Sequence, residues 1–146
     1  MSVAVRALAL EDEVRWRDLF QQYIVFYKAN VAPDIIDLTW QRLINGADGM
    51  AGLVAEVPGI GVAGIVVCVF HRSSWSATWY CYLEDLFVDP ASRGQGVGRA
   101  LIEGVYDLSD ARGATRTYWV TAENNETARA LYDQLATRTP DVQYRR

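Results

Sequence analysis

Tyr82-Leu-Glu-Asp-Leu-Phe-Val-Asp-Pro-Ala-Ser-Arg-Gly-Gln-Gly-Val-Gly-Arg99 is the stretch whose reading decides the fold. Its first half is aromatic and β-branched with no breaker before Pro90, and predicts a strand. Its second half places glycines at 94, 96 and 98 and then opens a segment at helical spacing, Val97, Ala100, Leu101, Val105 and Leu108. A glycine turn feeding a helix start exposes several backbone N–H groups in a row beside the positive end of the helix dipole. That arrangement is an anion site, and phosphate is its usual occupant. Arg93 and Arg99 flank it with positive charge.

A nucleoside-triphosphate loop needs Gly-Lys followed by Ser or Thr, and this turn has neither. A dinucleotide fingerprint started at Gly94 needs a sixth-place glycine where Arg99 stands. What remains is Arg-x-x-Gly-x-Gly (Arg93, Gly96, Gly98) after a strand carrying Glu84-Asp85.

Working outward, the chain has 146 residues, 51% of them apolar, and a net charge of −4, which predicts one compact domain over residues 1–146. The acidic balance argues against a nucleic-acid partner, which calls for a basic face. The two cysteines, Cys68 and Cys81, lack metal-ligand spacing and are expected as buried thiols in a reducing cytoplasm, though a cross-strand disulfide stays open. No export signal is visible at the N-terminus, and the longest apolar stretch, Ile60 to Phe70, is too short to span a membrane.

In order, the pattern predicts a strand over 2–10 and a helix over 11–29 with apolar positions at Val14, Leu19, Tyr23, Phe26 and Tyr27. A second helix follows from Pro33 to about Ile44, then a hairpin of strands 50–57 and 60–70. Strand 77–88 leads to the motif, a helix runs from Gly96 to Ala111, and Gly113 ends it. A strand over 115–121 carries Tyr118 and Val120 on one face, with Thr117 and Trp119 on the other. A last helix after Asn125 has the stripe Ala128, Leu131, Tyr132 and Leu135, and 142–144 reads as a short final strand. The order is that of one mixed α/β domain.

The motif, its preceding strand and the last-helix pattern Asn125-x-x-Ala128-x-x-x-Tyr132 together resemble the GNAT superfamily of N-acetyltransferases. Within it, Tyr-Leu-Glu-Asp-Leu-Phe-Val is closest to the diamine (spermidine/spermine-type) branch. The resemblance covers Tyr82 to Leu135 well and the N-terminal third only in element order. It implies a single-domain α/β fold with a mostly antiparallel sheet, splayed in the middle and flanked by about four helices. The split is expected between the motif strand and the strand after the motif helix, and it holds the pantetheine arm of acetyl-CoA, with no metal.

By the same resemblance, the pyrophosphate is taken by Arg93, Gly94, Gln95, Gly96, Val97, Gly98 and Arg99. Leu86, Phe87 and Val88 pair with the pantetheine amides as an added strand does. A backbone N–H of that strand polarises the acetyl carbonyl, Asn125 bonds the cofactor arm, and Tyr132 is the general acid for the leaving thiolate. Glu84 corresponds to the proposed base, and by strand parity it shares a face with Leu86 and Val88 while Asp85 points away. An acid that only attracts a cationic substrate is the competing reading of Glu84. Asp85 and Tyr27 are the expected substrate contacts, Tyr27 by cation–π. Tyr132 as a plain core aromatic and Asn125 as a helix cap stand beside their catalytic readings. The lone His71 has no partner identifiable from the sequence and reads as a surface residue.

The chain departs from the family pattern after Tyr132, where Leu135-Ala136-Thr137 replaces the usual Gly-Phe, and it stops at Arg146. A short or partner-completed last strand is therefore expected, and with it a homodimer. The expected function is direct transfer, in a ternary complex, from acetyl-CoA to a primary amine. A polyamine or diamine is the first substrate and a protein lysine or N-terminus the second. An acyl-CoA-binding module without transfer is the alternative.

Overall fold

The computed structural model describes residues 2–146. A five-stranded sheet in the order β1-β2-β3-β4-β5 forms the middle layer. Its strands are β1 (Ala4–Ala7), β2 (Met50–Val57), β3 (Gly61–His71), β4 (Tyr80–Val88) and β5 (Arg116–Tyr118). The first four pair antiparallel, and β5 lies parallel to β4. Helices α1 (Glu13–Phe26) and α2 (Pro33–Asn45) cover one face; α3 (Val97–Ala111) and α4 (Glu126–Leu135) cover the other. This is the single α/β domain that the element order predicts.

Two apolar cores follow from period-2 alternation along β2, β3 and β4. Val54, Ile65, Val67 and Phe87 pack on Trp16, Leu19, Phe20 and Trp40, while Leu53, Val66, Cys68 and Leu83 pack on Val97, Leu101, Ile102 and Val105. Cys68 and Cys81 are free and buried on the α3 side. Local chemistry sets the helix ends. Pro33 starts α2, whose C-cap Gly46 is left-handed, and the Asp12 carboxylate accepts the Ala9 N–H at 2.8 Å ahead of α1. Asp12 also holds Arg6 of β1 at 2.7 Å, and Arg6 reaches Glu56 of β2, so one guanidinium ties three segments.

Several expectations are corrected. Val14 is not a core position but 84% exposed, and Trp16 takes the buried place because the sheet approaches α1 from that side. Strand 77–88 begins only at Tyr80, and strand 115–121 shrinks to Arg116–Tyr118. Residues 142–144 are not a strand; the chain after Leu135 is irregular and exposed, with no neighbouring strand to pair with among the described residues. The stripe on α4 is correct, but its residues are only half-buried because α4 sits at the margin of the sheet.

Candidate active site

The shortness of β5 is what opens the site. It pairs with β4 only at Tyr80, Cys81 and Tyr82, so among the described residues Leu83 to Val88 have no strand beside them on that edge. The two strands therefore part, leaving a cleft with unpaired main chain on one side.

At the far end of β4 the chain passes through Pro90–Ser92 into the glycine turn. Gly94 and Gly96 have φ of 80° and 79°, and a Cβ on either would meet no atom within 4 Å. Backbone conformation, rather than crowding, demands glycine at both. Gly98 answers a different need: its Cβ position lies 3.4 Å from Leu131, where α3 and α4 come close. The first intrahelical bond of α3 runs from Ala100 N–H to the Gly96 carbonyl, which leaves the N–H groups of Val97, Gly98 and Arg99 without helical acceptors. They point with the helix dipole into the mouth of the cleft, a cradle of the kind a diphosphate fits. The turn is anchored on α1, because Arg15 bonds both Asp89 (2.6 Å) and the Val62 carbonyl (2.9 Å). That guanidinium holds the Asp89 carboxyl below the usual carboxylate range.

The two flanking arginines differ. Arg93 leans over the Phe26 ring at 5.9 Å, beside a groove of about 370 Å³ between α1 and Pro90. Arg99 is instead turned along the helices toward Gln134 and Glu103.

Asn125 is the N-cap of α4 by position, yet its side chain caps nothing and reaches the Thr121 hydroxyl at 3.4 Å. Its expected role as a side-chain helix cap is therefore corrected. Tyr132 stands edge-on to Trp119 at 5.4 Å, just past the point where β5 ends. Burial, with Tyr27 nearby, raises its phenol above the ordinary tyrosine value, so it is a protonated donor at neutral pH.

The inner end of the cleft holds a correction to strand parity. Cys68 pairs with Leu83 and Val67 with Asp85, so Glu84 is an extra residue, a bulge in β4. Leu83 consequently shares the α3-side core with Leu86 and Val88, and Asp85 joins Phe87 toward α1. Glu84 does not share the Leu86 face. It is exposed; burial raises the phenols of Tyr23, Tyr82 and Tyr118, and the Glu84 charge adds to each. Asp85 is half-buried against Tyr23. Burial pushes its carboxyl up to about 6, the Tyr23 hydroxyl donating toward it opposes the rise, and the Glu84 charge adds to it. Tyr27, half exposed at the end of α1, stacks edge-on with Tyr23 at 5.0 Å and comes near Tyr132.

Of the residues singled out from sequence, the fold thus brings Tyr27, Glu84, Asp85 and Tyr132 around one cleft, with the glycine turn at its mouth. Tyr23, Tyr82 and Tyr118 belong to the same wall and were not foreseen. Their alternation was readable, but which strand or helix each would face was not.

A protein-family model described as Acetyltransferase (GNAT) family matches residues 14–136, most of the chain. The chain belongs to the GNAT acetyltransferase family. The D-amino-acid N-acetyltransferase HPA3 of Saccharomyces cerevisiae (strain ATCC 204508 / S288c) is 34% identical over 99% of this chain and 90% of its own length. A thialysine N-epsilon-acetyltransferase of Caenorhabditis elegans is 31% identical over 60% of this chain, and the matched region spans about half of that relative (51%). Among solved structures, AAC(6')-Iy in complex with the bisubstrate analogue CoA-S-monomethyl-acetylneamine superimposes with a TM-score of 0.84. It covers 100% of this chain and 98% of its own at 20% identity, a likeness of fold. As an N-acetyltransferase of the GNAT family, the protein has the expected splayed sheet. GNAT enzymes use acetyl-CoA, and the unpaired edge of β4 and the open glycine cradle fit that co-substrate.

Proposed function

We propose that this acetyltransferase moves the acetyl group of acetyl-CoA directly to the primary amine of a small cationic acceptor, an amino-acid-sized amine or a diamine. The observation that carries this reading is the cleft between β4 and β5, with the amide cradle at its mouth and phenols and two carboxylates at its inner end. Bound acetyl-CoA supplies the activated thioester. The amides of Gly94 to Arg99, with Arg93, take its diphosphate, and the free edge of Leu86, Phe87 and Val88 pairs with its amide arm. Asn125, at the start of α4, adds a polar contact to that arm. A main-chain N–H on the free edge of β4 stabilises negative charge on the acetyl oxygen.

Tyr132 then donates its phenolic proton to the departing thiolate, which leaves as the thiol. Glu84 and Asp85 draw the ammonium of the acceptor inward, with Tyr27 offering its ring face. A small acceptor suits this wall better than a protein segment, and the named relatives, which act on D-amino acids and thialysine, support that size. Assembly as a homodimer in the cytoplasm belongs to the same reading; light scattering on the purified protein tests the dimer.

The experiment is release of CoA from acetyl-CoA with a panel comprising spermidine, a short diamine, D- and L-amino acids, thialysine and a lysine peptide. Turnover confined to the small amines is expected. Tight acetyl-CoA binding with no turnover on any amine makes the chain a binding module instead.

A further inference from the structure

The one histidine of the chain lies at the end of β3, and it is not solitary. Its Nδ1 sits 2.8 Å from the Arg72 carbonyl and its Nε2 sits 2.6 Å from the Tyr118 hydroxyl. A carbonyl only accepts, so Nδ1 carries the hydrogen, and in the neutral ring Nε2 must accept from Tyr118. Tyr118 is the last β5 residue paired with β4, at the apex where the strands part, and its ring lies 4.9 Å from Tyr82. The Glu84 charge bears on it there. One side of the Tyr118 oxygen is thus tied to His71, and its phenol stands at the inner end of the cleft, where an ammonium drawn in by Glu84 would rest.

We infer that Tyr118 and His71 form a proton relay that deprotonates the acceptor amine. The inference rests on the acetyltransferase reading above. An ammonium is no nucleophile until it loses a proton. In the relay, an N–H bond of the ammonium breaks as its proton passes to Tyr118 Oη. The O–H bond of Tyr118 breaks in the same movement as its proton passes to His71 Nε2. The amine keeps the electron pair and becomes neutral, Tyr118 ends as a phenol again, and His71 becomes an imidazolium whose second N–H stays on the Arg72 carbonyl. The partly exposed ring then yields a proton to water. Tyr118 is in this scheme a catalytic residue and His71 a positioning and accepting residue behind it. The groups facing the pair are Tyr80 from β4 (5.8 Å), the Arg116 guanidinium over that ring (4.5 Å), Tyr82 and Glu84.

The test uses His71→Gln and Tyr118→Phe with primary amines of similar size whose ammonium pKa runs from about 7 to about 10. Gln still accepts the Tyr118 hydrogen bond but takes no proton; Phe removes a single oxygen. Heat of acetyl-CoA binding verifies that each variant is folded. At pH 7 each variant should lose about 10- to 100-fold in kcat on the most basic amine and no more than about threefold on the least basic. The double variant should be no worse than either single one. In the wild type, kcat/KM should carry an acid limb, since a protonated His71 accepts nothing. That limb should vanish in His71→Gln. A loss independent of amine basicity, an unchanged pH profile, or wild-type rates in either folded variant overturns the relay alone. A wild type that acetylates no amine overturns the acetyltransferase reading and the relay with it.

Discussion

The glycine turn from Arg93 to Arg99 is made of consecutive residues, whereas the wall at the other end of the cleft gathers Tyr23 from α1, Glu84 and Asp85 from β4 and Tyr118 from β5. The turn works through backbone: two left-handed glycines and the unpaired N–H groups of a helix start. The wall works through side chains held in register by a bulge and by the point where two strands separate. A backbone site depends on φ, so one wrong residue inside it is fatal while its surroundings tolerate change. A side-chain site spreads its chemistry over several groups, so single losses are graded and show up in rate, pH dependence or KM.

The sharpest way to break this contrast is Gly96→Val. A β-branched residue at φ of 79° is strained by about 1–2 kcal/mol or more, and relaxing it swings the following N–H groups off the cradle. Acetyl-CoA affinity should fall by at least about 100-fold by calorimetry, while circular dichroism reports a folded protein. Retained affinity would refute the cradle.

Tyr132→Phe comes next. Turnover should drop by roughly 10- to 1000-fold with acetyl-CoA affinity nearly unchanged, since only a proton donor is removed. Equal turnover in steady-state kinetics would leave Tyr132 a packing residue against Trp119.

Asp85→Asn separates function from stability. Its folded carboxyl titrates at about 6, above the unfolded value near about 3.9, so the native state holds the proton more tightly. The stability this gives is complete below about pH 4 and is lost as pH rises through about 6. The amide never ionises, so the variant should gain on the wild type by about 1–3 kcal/mol between those values and hold that lead above pH 7. Thermal melts across the range check the sign; a gap that narrows with rising pH would contradict the burial of Asp85.

The smallest effect belongs to Glu84→Gln, an exposed carboxylate whose proposed part is attraction. The amine KM should rise about three- to tenfold at low salt, less in high salt, with kcat within about twofold of wild type. A large fall in kcat, insensitive to salt, would restore Glu84 as the base.

The regions readable in advance follow the same division. Helix α3 and its ends were legible because its periodicity, the entry glycines Gly94, Gly96 and Gly98, and the exit glycine Gly113 each act on residues only a few positions away. Strand existence was legible too, from runs such as Ile65 to Cys68. Val14 was misplaced because periodicity finds a stripe without telling which of its margins meets the sheet. Glu84 was assigned to the wrong face because one inserted residue inverts strand parity, and nothing in Tyr-Leu-Glu-Asp-Leu-Phe-Val marks where the insertion falls. His71 looked partnerless because Tyr118 lies 47 positions away along the chain.

By itself, then, the amino-acid order determined the strand–turn–helix unit, which rests on local φ preferences and short-range spacing, and, through its resemblance to the GNAT superfamily, the class of chemistry. Only the tertiary structure decided which carboxylate is buried, which tyrosines meet and what the histidine touches. Those outcomes depend on the register of β3 against β4 and on where β5 leaves the sheet, and both are set by packing between segments far apart in the chain.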